Sequence, residues 1–481
     1  MPALEFVGQS SQDPDNTPAN PSRLLNCYRE AVNGRTAHVI KAVLGQSATP
    51  FCSLGSVTLR ALVTIEDYVY AALGGNLYRI ASDGTSMLLG EIGDSVDTSI
   101  SSNNGKVTVV ANGKFFVWDG STLTEPTTGA FDAFGDVAFF GQLTVLTERD
   151  GRRVQWSDVA DPSTLDGLSF ATTEQRDDAI LRVVPVGGEL WFFKEQSLER
   201  WYQNGTVLNY LPGSATEPGL KSRELLVKAR NFVFFVGSDG RAYLVAGGQM
   251  RPVSTIAVET SLKSHTPERC FFYADEGHDF CVITFPNRPA WVFDISMAEW
   301  HERGDGESLG AWTAKEAVEA FGGHYVGDDL GQIWLLDRVS TDRGLPLVMQ
   351  MTSRTLQVEN RRFRLPELNF QARVGVNGIS DEYDDSPDIL GAAAGSLDAN
   401  DGTLKVADAT GIRVPVLALE VSENHGKTWR GPRTTSIGGI GQYDTQITYR
   451  ALGVFRALTV RLTFSEPIDA PIDATAFVRV A

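Results

Sequence analysis

Apolar and polar residues alternate along most of this chain in short runs that break at glycine, asparagine or aspartate. Residues 67–80 read DYVYAALGGNLYRI, two alternating runs about a Gly74-Gly75 turn. Residues 106–119, KVTVVANGKFFVWD, do the same about Asn112-Gly113. That dipeptide suits a type I′ turn, because both central positions need φ > 0. Related hairpins follow at 143–156 (LTVLTERDGRRVQW), 190–201, 232–243, 280–291 and 324–334. Helical periodicity is scarce; TAKEAVEAF (313–321) and TSLKSHTPE (260–268) are the two candidates.

The hairpins recur. Their turns fall near Gly74, Asn112, Asp150, Glu195, Asp239, Asn287 and Asp329, separated by 38 to 48 residues. Each is followed within a few residues by an aromatic: Tyr78, Trp118, Trp156, Trp201, Tyr243, Trp291 and Trp334. A period near 40–50 with one large ring per unit describes a β-propeller blade. A lone four-stranded blade leaves both faces uncovered, and packing blades around an axis buries them. The competing arrangement is a meandering β-sandwich. Trp118-Asp119 is the lone Trp-Asp pair, with no Gly-His ahead of it, so the repeat is not of the WD40 type; nor do the paired glycines follow the kelch pattern. The expected fold class is all-β: a β-propeller of six or seven blades over 58–345, with an additional C-terminal β-sandwich-like module over 346–481. Residues 1–57 are turn-rich and read as an N-terminal docking arm. The stretch 374–404 has seven acids and no Lys or Arg, and reads as a solvated acidic loop.

Composition narrows the function. Forty-two Lys+Arg against 60 Asp+Glu give a net charge of −18, which disfavours tight nucleic-acid binding, since that affinity comes from cationic side chains. No apolar run is long enough for a transmembrane helix, so no membrane insertion is expected, and the first residues lack a secretory pattern. Four cysteines without C-x-x-C imply reduced thiols.

Little chemistry emerges. None of the six histidines pairs at metal-ligand spacing, and the adjacent His278-Asp279 and His301-Glu302 would point to opposite faces of a strand. No G-x-S-x-G carries a nucleophilic serine, and no Walker loop is complete, since Val421 stands where its first glycine belongs. Asp384-Asp385-Ser386-Pro387-Asp388 could attract calcium but lacks the EF-hand spacing. No catalytic residue, cofactor or metal is expected. The most specific local motif is Ser422-Glu423-Asn424-His425-Gly426-Lys427-Thr428-Trp429, similar to the Asp-box S-x-D-x-G-x-T-W with Asn424 in the acidic position. Such a box is a folding device, with Trp429 expected to be buried and Asn424 bonded within its own hairpin.

From this box onward the C-terminal segment resembles a bacteriophage family. Gly426/Thr428/Trp429, then Gly438/Gly439/Gly441, Tyr449-Arg450, Leu452-Gly453, Arg456/Arg461 and Glu466-Pro467 follow the tail end of the packaged-DNA stabilisation, or tail hub (nozzle), proteins of short-tailed phages. Residues 24–30 (LLNCYRE) are similar to that family's opening, and PELNFQARVG (366–375) to one of its strands; Asn424-His425 replaces its usual Asp-Gly. The resemblance implies a structural virion protein without catalysis. It implies a ring, with six copies, between the portal–adaptor complex and distal tailspike, fibre or needle proteins. Packaged DNA would be retained and later pass through without specific binding. Assembly would occur in the host cytoplasm and the product would sit in the virion tail. Tyr28, Arg29, Glu30, Arg450, Arg456 and Arg461 are the candidate interface residues. Two alternatives stay open: a tail-borne carbohydrate-binding or carbohydrate-cleaving propeller, and a generic propeller scaffold.

Overall fold

Asn112 and Gly113 both take positive φ, 51° and 74°, and turn strand Lys106–Ala111 directly onto Lys114–Trp118 with Ala111 opposite Lys114. Gly74 and Gly75 do the same between Tyr68–Leu73 and Asn76–Ile80. A computed structural model of the chain describes residues 3–8, 10–12, 21–32, 37–126, 131–339, 341–358, 361–372, 415–438, 445–466, 471–473 and 475–479. The chain divides into two units. One comprises Thr49–Pro286 and Thr313–Leu336; the other comprises Met1–Ala48, Asn287–Trp312 and Asp337–Ala481.

The first unit is a succession of antiparallel meanders. Five four-stranded sheets run in chain order through residues 59–91, 99–124, 134–172, 180–210 and 226–252. A sixth module contributes the hairpin Cys270–Asp275/His278–Ile283. The seventh contains Ala314–Ala320, Gly323–Asp328 and Gln332–Asp337, to which Cys52–Ser53 adds an outer strand. Each module packs on the next. Tyr70 and Leu77 meet Val109 and Trp118 between the first two. Phe115 and Val117 meet Phe134 and Leu146, Trp156 meets Phe192 and Trp201, and Phe193 meets Phe235 and Tyr243. Phe232 and Phe272 rings lie 5.5 Å apart, and Ala274 N donates to His324 Nε2 at 3.3 Å. Ile333 and Tyr325 of the seventh module then pack with Leu59 and Val69 of the first, which closes the circuit. A β-propeller results. Of the seven expected aromatics, Trp118, Trp156, Trp201, Tyr243, Trp291 and Trp334 are buried, while Tyr78 packs partly buried at the closing seam.

One helix expectation fails. Residues 313–321 hold a strand, Ala314–Ala320, with a bulge between Ala314 and Glu316. Ala314, Val318 and Ala320 are its buried positions, and pairing along the whole of Gly323–Asp328 outweighs the helix propensity of its Ala, Glu and Lys. The one helix among the described residues is Ile256–Ser264, so the second candidate is helical in its first half only.

The second unit consists of two sheets around a shared core. Strands Ala290–Asp294, Glu299–Arg303, Arg23–Leu25, Met349–Thr352, Thr459–Phe464, Val416–Ser422 and Arg430–Ser436 lie side by side in that order. The other sheet carries Phe363–Ala372, Thr445–Phe455, Ala3–Glu5, Thr475–Arg479, Ile472–Asp473 and the hairpin Cys27–Val32/Ala37–Ala42. Phe370, Leu417, Ile447 and Leu462 fill the space between them. Residues 1–57 therefore do not form a separate docking arm. Ala3–Glu5 pairs with the C-terminal strand, and Leu24 and Met351 are register partners across a ladder. Nor does the C-terminal module stand alone as 346–481, because Asn287–Trp312 and the first 48 residues complete it. Turn-rich composition hid these short strands, whose ladder partners lie hundreds of residues away.

Candidate functional site: a charged network on the propeller axis

Each propeller module has a charged residue in or just ahead of its first strand: Arg60, Asp97, Asp136, Arg182, Glu224, Arg269 and Glu316. On four of these strands the register slips near that point, between Leu59/Ala61, Phe134/Val137, Ile180/Arg182 and Ala314/Glu316. A bulge bends its strand and re-aims the side chains beside it. Arg223, next to Glu224, reaches three other modules. Its Nη1 donates to Gly135 O at 2.7 Å and Leu181 O at 3.3 Å, and its Nη2 donates to Asp136 Oδ1 at 3.3 Å. Asp97 lies 3.9 Å from its Nε. Arg269 likewise spans to Glu316 Oε2 (3.1 Å) and to the carbonyls of Arg60 (3.1 Å) and Leu59 (3.1 Å). One side chain can touch non-neighbouring modules only where their first strands converge, so these groups meet at the axis.

Asp136 is the centre of the clasp. It is fully buried and accepts from Arg182 Nε (3.1 Å) and Val183 N (2.8 Å) as well as from Arg223. A carboxylate so saturated, with no serine, cysteine or histidine among its partners, holds strands together rather than moving protons. Burial works against the charge on Arg182, yet Asp136, Glu224 and Glu316 hold its guanidinium above the ordinary range. None of these residues stands out from the hairpin pattern alone. The signal was present, since the seven positions recur every 37 to 47 residues, in step with the hairpins.

Burial pushes Glu316 up from 4.5 to about 7; Arg269 opposes the rise and Glu224 adds to it. Between those two pH values the folded chain keeps a proton here that the unfolded chain has released. The contribution of Glu316 to stability therefore falls as pH rises through that window. Glu316→Gln should remove this dependence, so its thermal midpoint should gain on the parent's from pH 4.5 to 7. Parallel pH profiles for the two proteins would contradict it.

The Asp-box folds as a self-bonded hairpin in the other unit. Ser422 Oγ donates to Asn424 Oδ1 (2.9 Å) and accepts from Gly426 N (2.9 Å). Thr428 N donates to Asn424 Oδ1 at 2.8 Å, and Asn424 Nδ2 donates to Thr428 Oγ1 at 2.8 Å. Trp429 departs from expectation: it is half-buried, lying under the Arg461 guanidinium at 4.2 Å instead of plugging the core. The core below is already filled by Leu419, Val460 and Leu462. Trp429→Ala should thus cost only about 1–2 kcal/mol, from partial apolar burial and one cation–π contact, measurable as a shift in the urea midpoint.

The candidate interface residues divide. Tyr28 and Arg29 are interior, a correction to their assignment. Tyr28 OH accepts from Arg338 at 3.3 Å, and Arg29 lies 3.6 Å from Glu299. Glu30 pairs with Lys41, and Arg461 with Glu420. Arg450 and Arg456 are exposed. The acidic stretch 374–404, with its calcium candidate, and Gly439, Gly441 and Pro467 lie outside the described residues. Among the described residues, no group of three or more His, Cys, Asp or Glu could hold a metal ion. His278 stacks on Phe280 at 5.7 Å, and His301 packs against Tyr28 at 6.0 Å. All four cysteines are buried thiols outside any disulfide. No helix among the described residues is long and apolar enough to cross a membrane.

Among curated proteins, none matches the chain. Solved structures similar to it include the computationally designed Ika8 protein, at 13% identity and TM-score 0.40 over 60% of this chain and 99% of that one. A chain of the Mitotic Checkpoint Complex matches at 13% identity and TM-score 0.43, over 60% and 94%. The extracellular domain of a hybrid two component system from B. thetaiotaomicron matches at 12% and 0.43, over 61% and 39%. A family model described as "Bacteriophage P22 Gp10, beta-propeller" matches residues 56–340, which contain the seven modules apart from the outer strand Cys52–Ser53. The chain belongs to this family of bacteriophage structural proteins.

Proposed function

We propose that the protein is a tail hub, or nozzle, subunit that extends the portal–adaptor channel, helps to retain packaged DNA and carries distal tail proteins. The observation that carries this reading is the clasped axis. With Arg182, Arg223 and Arg269 tied between modules there, the propeller is a cross-linked building block, and any passage for DNA runs between copies. Closed rings of like subunits use heterologous, head-to-tail patches, and six copies is the number carried over from the family resemblance. A net charge of −18 suits a wall past which DNA moves without binding.

The carbohydrate-binding alternative loses its expected support. Eight of the nine tryptophans are buried and the ninth, Trp429, is capped by Arg461, so they form no exposed platform for a sugar. The test is light-scattering mass, for the purified protein alone and with a portal–adaptor ring. A gain of about six subunits per ring, the symmetry set by the template, supports the hub. A chain that fails to join the ring and steadily cleaves host polysaccharide overturns it.

A further inference from the structure

Six exposed arginines lie on adjoining strands of the second unit. Strand Phe363–Ala372 pairs with Thr445–Phe455 so that Arg364 faces Val454 and Phe363 faces Phe455. Arg362 and Arg456 stand one residue beyond that last pair, and Arg450 is five residues back along the same strand. The last strand of the other sheet, Arg430–Ser436, brings two more. Arg433 Nη1 donates to the carbonyls of Arg450 (3.0 Å) and Ala451 (3.3 Å). Arg430 lies over the Phe455 ring at 5.7 Å. Arg362, Arg364, Arg430, Arg433, Arg450 and Arg456 are all exposed. Among the described residues, the carboxylates beside them include Glu423, 3.5 Å from Arg430, Glu367, opposite Arg450, and Glu420, which pairs with Arg461. Between Arg430 and Arg433 opens a small cleft of about 70 Å³ floored by Leu419, Val421 and Leu452, and Val454 beside it is 56% exposed.

We infer that this arginine surface is a docking site for the acidic surface of a second copy of this chain. Three features select a protein partner over nucleic acid. The cluster is all arginine, the cation enriched in protein interfaces where lysine is depleted. Its cleft has an apolar floor, which a carboxylate-bearing segment with an apolar side chain can fill and a phosphate backbone cannot. The chain supplies the complement itself, since removing these six cations from the −18 total leaves the rest still more negative. A patch that meets an oppositely charged one favours head-to-tail over face-to-face association. The inference deepens the ring reading, but its test needs no adaptor.

The test is self-association of the full chain, with a labelled copy titrated by unlabelled protein at about 0.05 M and about 0.5 M salt. The parent should associate at low salt and weaken as salt rises. Arg364→Glu/Arg430→Glu/Arg456→Glu should associate about tenfold more weakly or worse. Its thermal midpoint should match the parent's, because these side chains are exposed; Arg430→Ala/Arg456→Ala is the milder check. Absence of association by the parent, or association untouched by both variants, overturns the proposal. So does duplex DNA binding that the same substitutions abolish. Failure here with normal ring formation on an adaptor would leave the hub reading standing.

Discussion

Asp136→Ala is expected to destabilise the propeller unit by roughly 3–5 kcal/mol, the range for breaking a buried ion pair from one side. The carboxylate is fully buried and bonds Arg182, Arg223 and the Val183 amide at once. Its loss leaves two guanidinium groups beside each other with only the more distant Asp97 and Glu224 to offset their charge. Side chains of Arg182 and Arg223 are 25% and 11% exposed, so water recovers little of what they lose. Asp136→Asn keeps one acceptor for Val183 and should cost less. The measurement is the urea midpoint followed by tryptophan fluorescence. A loss below about 1 kcal/mol would place the pair in the class of screened surface bridges and would remove the axial clasp from the account.

Asn26→Ala should cost the second unit roughly 2–4 kcal/mol, since each orphaned buried polar group costs about 1–3 kcal/mol. Asn26 is fully buried at φ 57°, between the strand Arg23–Leu25 and the hairpin that follows. Its side chain accepts from Gly304 N (2.8 Å) and donates to Val348 O (3.0 Å), while its backbone N donates to Glu302 O (2.9 Å). Three distant segments are stitched at one residue. Asn26→Gly should recover about 1 kcal/mol of the loss, because glycine accepts positive φ without the Cβ penalty. Equal losses for Ala and Gly would show that the backbone conformation carries no cost.

The propeller was legible because its signal is local. Asn112-Gly113 dictates a two-residue turn, alternation gives each strand one side for either neighbour, and the buried tryptophans mark the repeat. The Asp-box was legible for the same reason, as its bonds join residues two to four apart. Other features depended on partners far along the chain. Ala3–Glu5 becomes a strand only because Thr475–Arg479 lies beside it. Tyr28 and Arg29 read as interface residues from their motif, and the sequence holds no hint that both side chains are buried. Trp429 was misjudged since a tryptophan beside an arginine-bearing strand can be covered by a guanidinium as well as by a core. The axial charges lay between these cases: their period was visible, but convergence is a property of the closed circuit.

In the proposed hub, propellers assemble around a shared channel, which imaging of a portal–adaptor ring incubated with the purified protein would reveal. The account expects a further ring of about six subunits, head-to-tail about the portal axis, with side-chain density at every propeller axis and an open bore between subunits. A ring that gains no density, or a bore that runs through the propellers themselves, would contradict it.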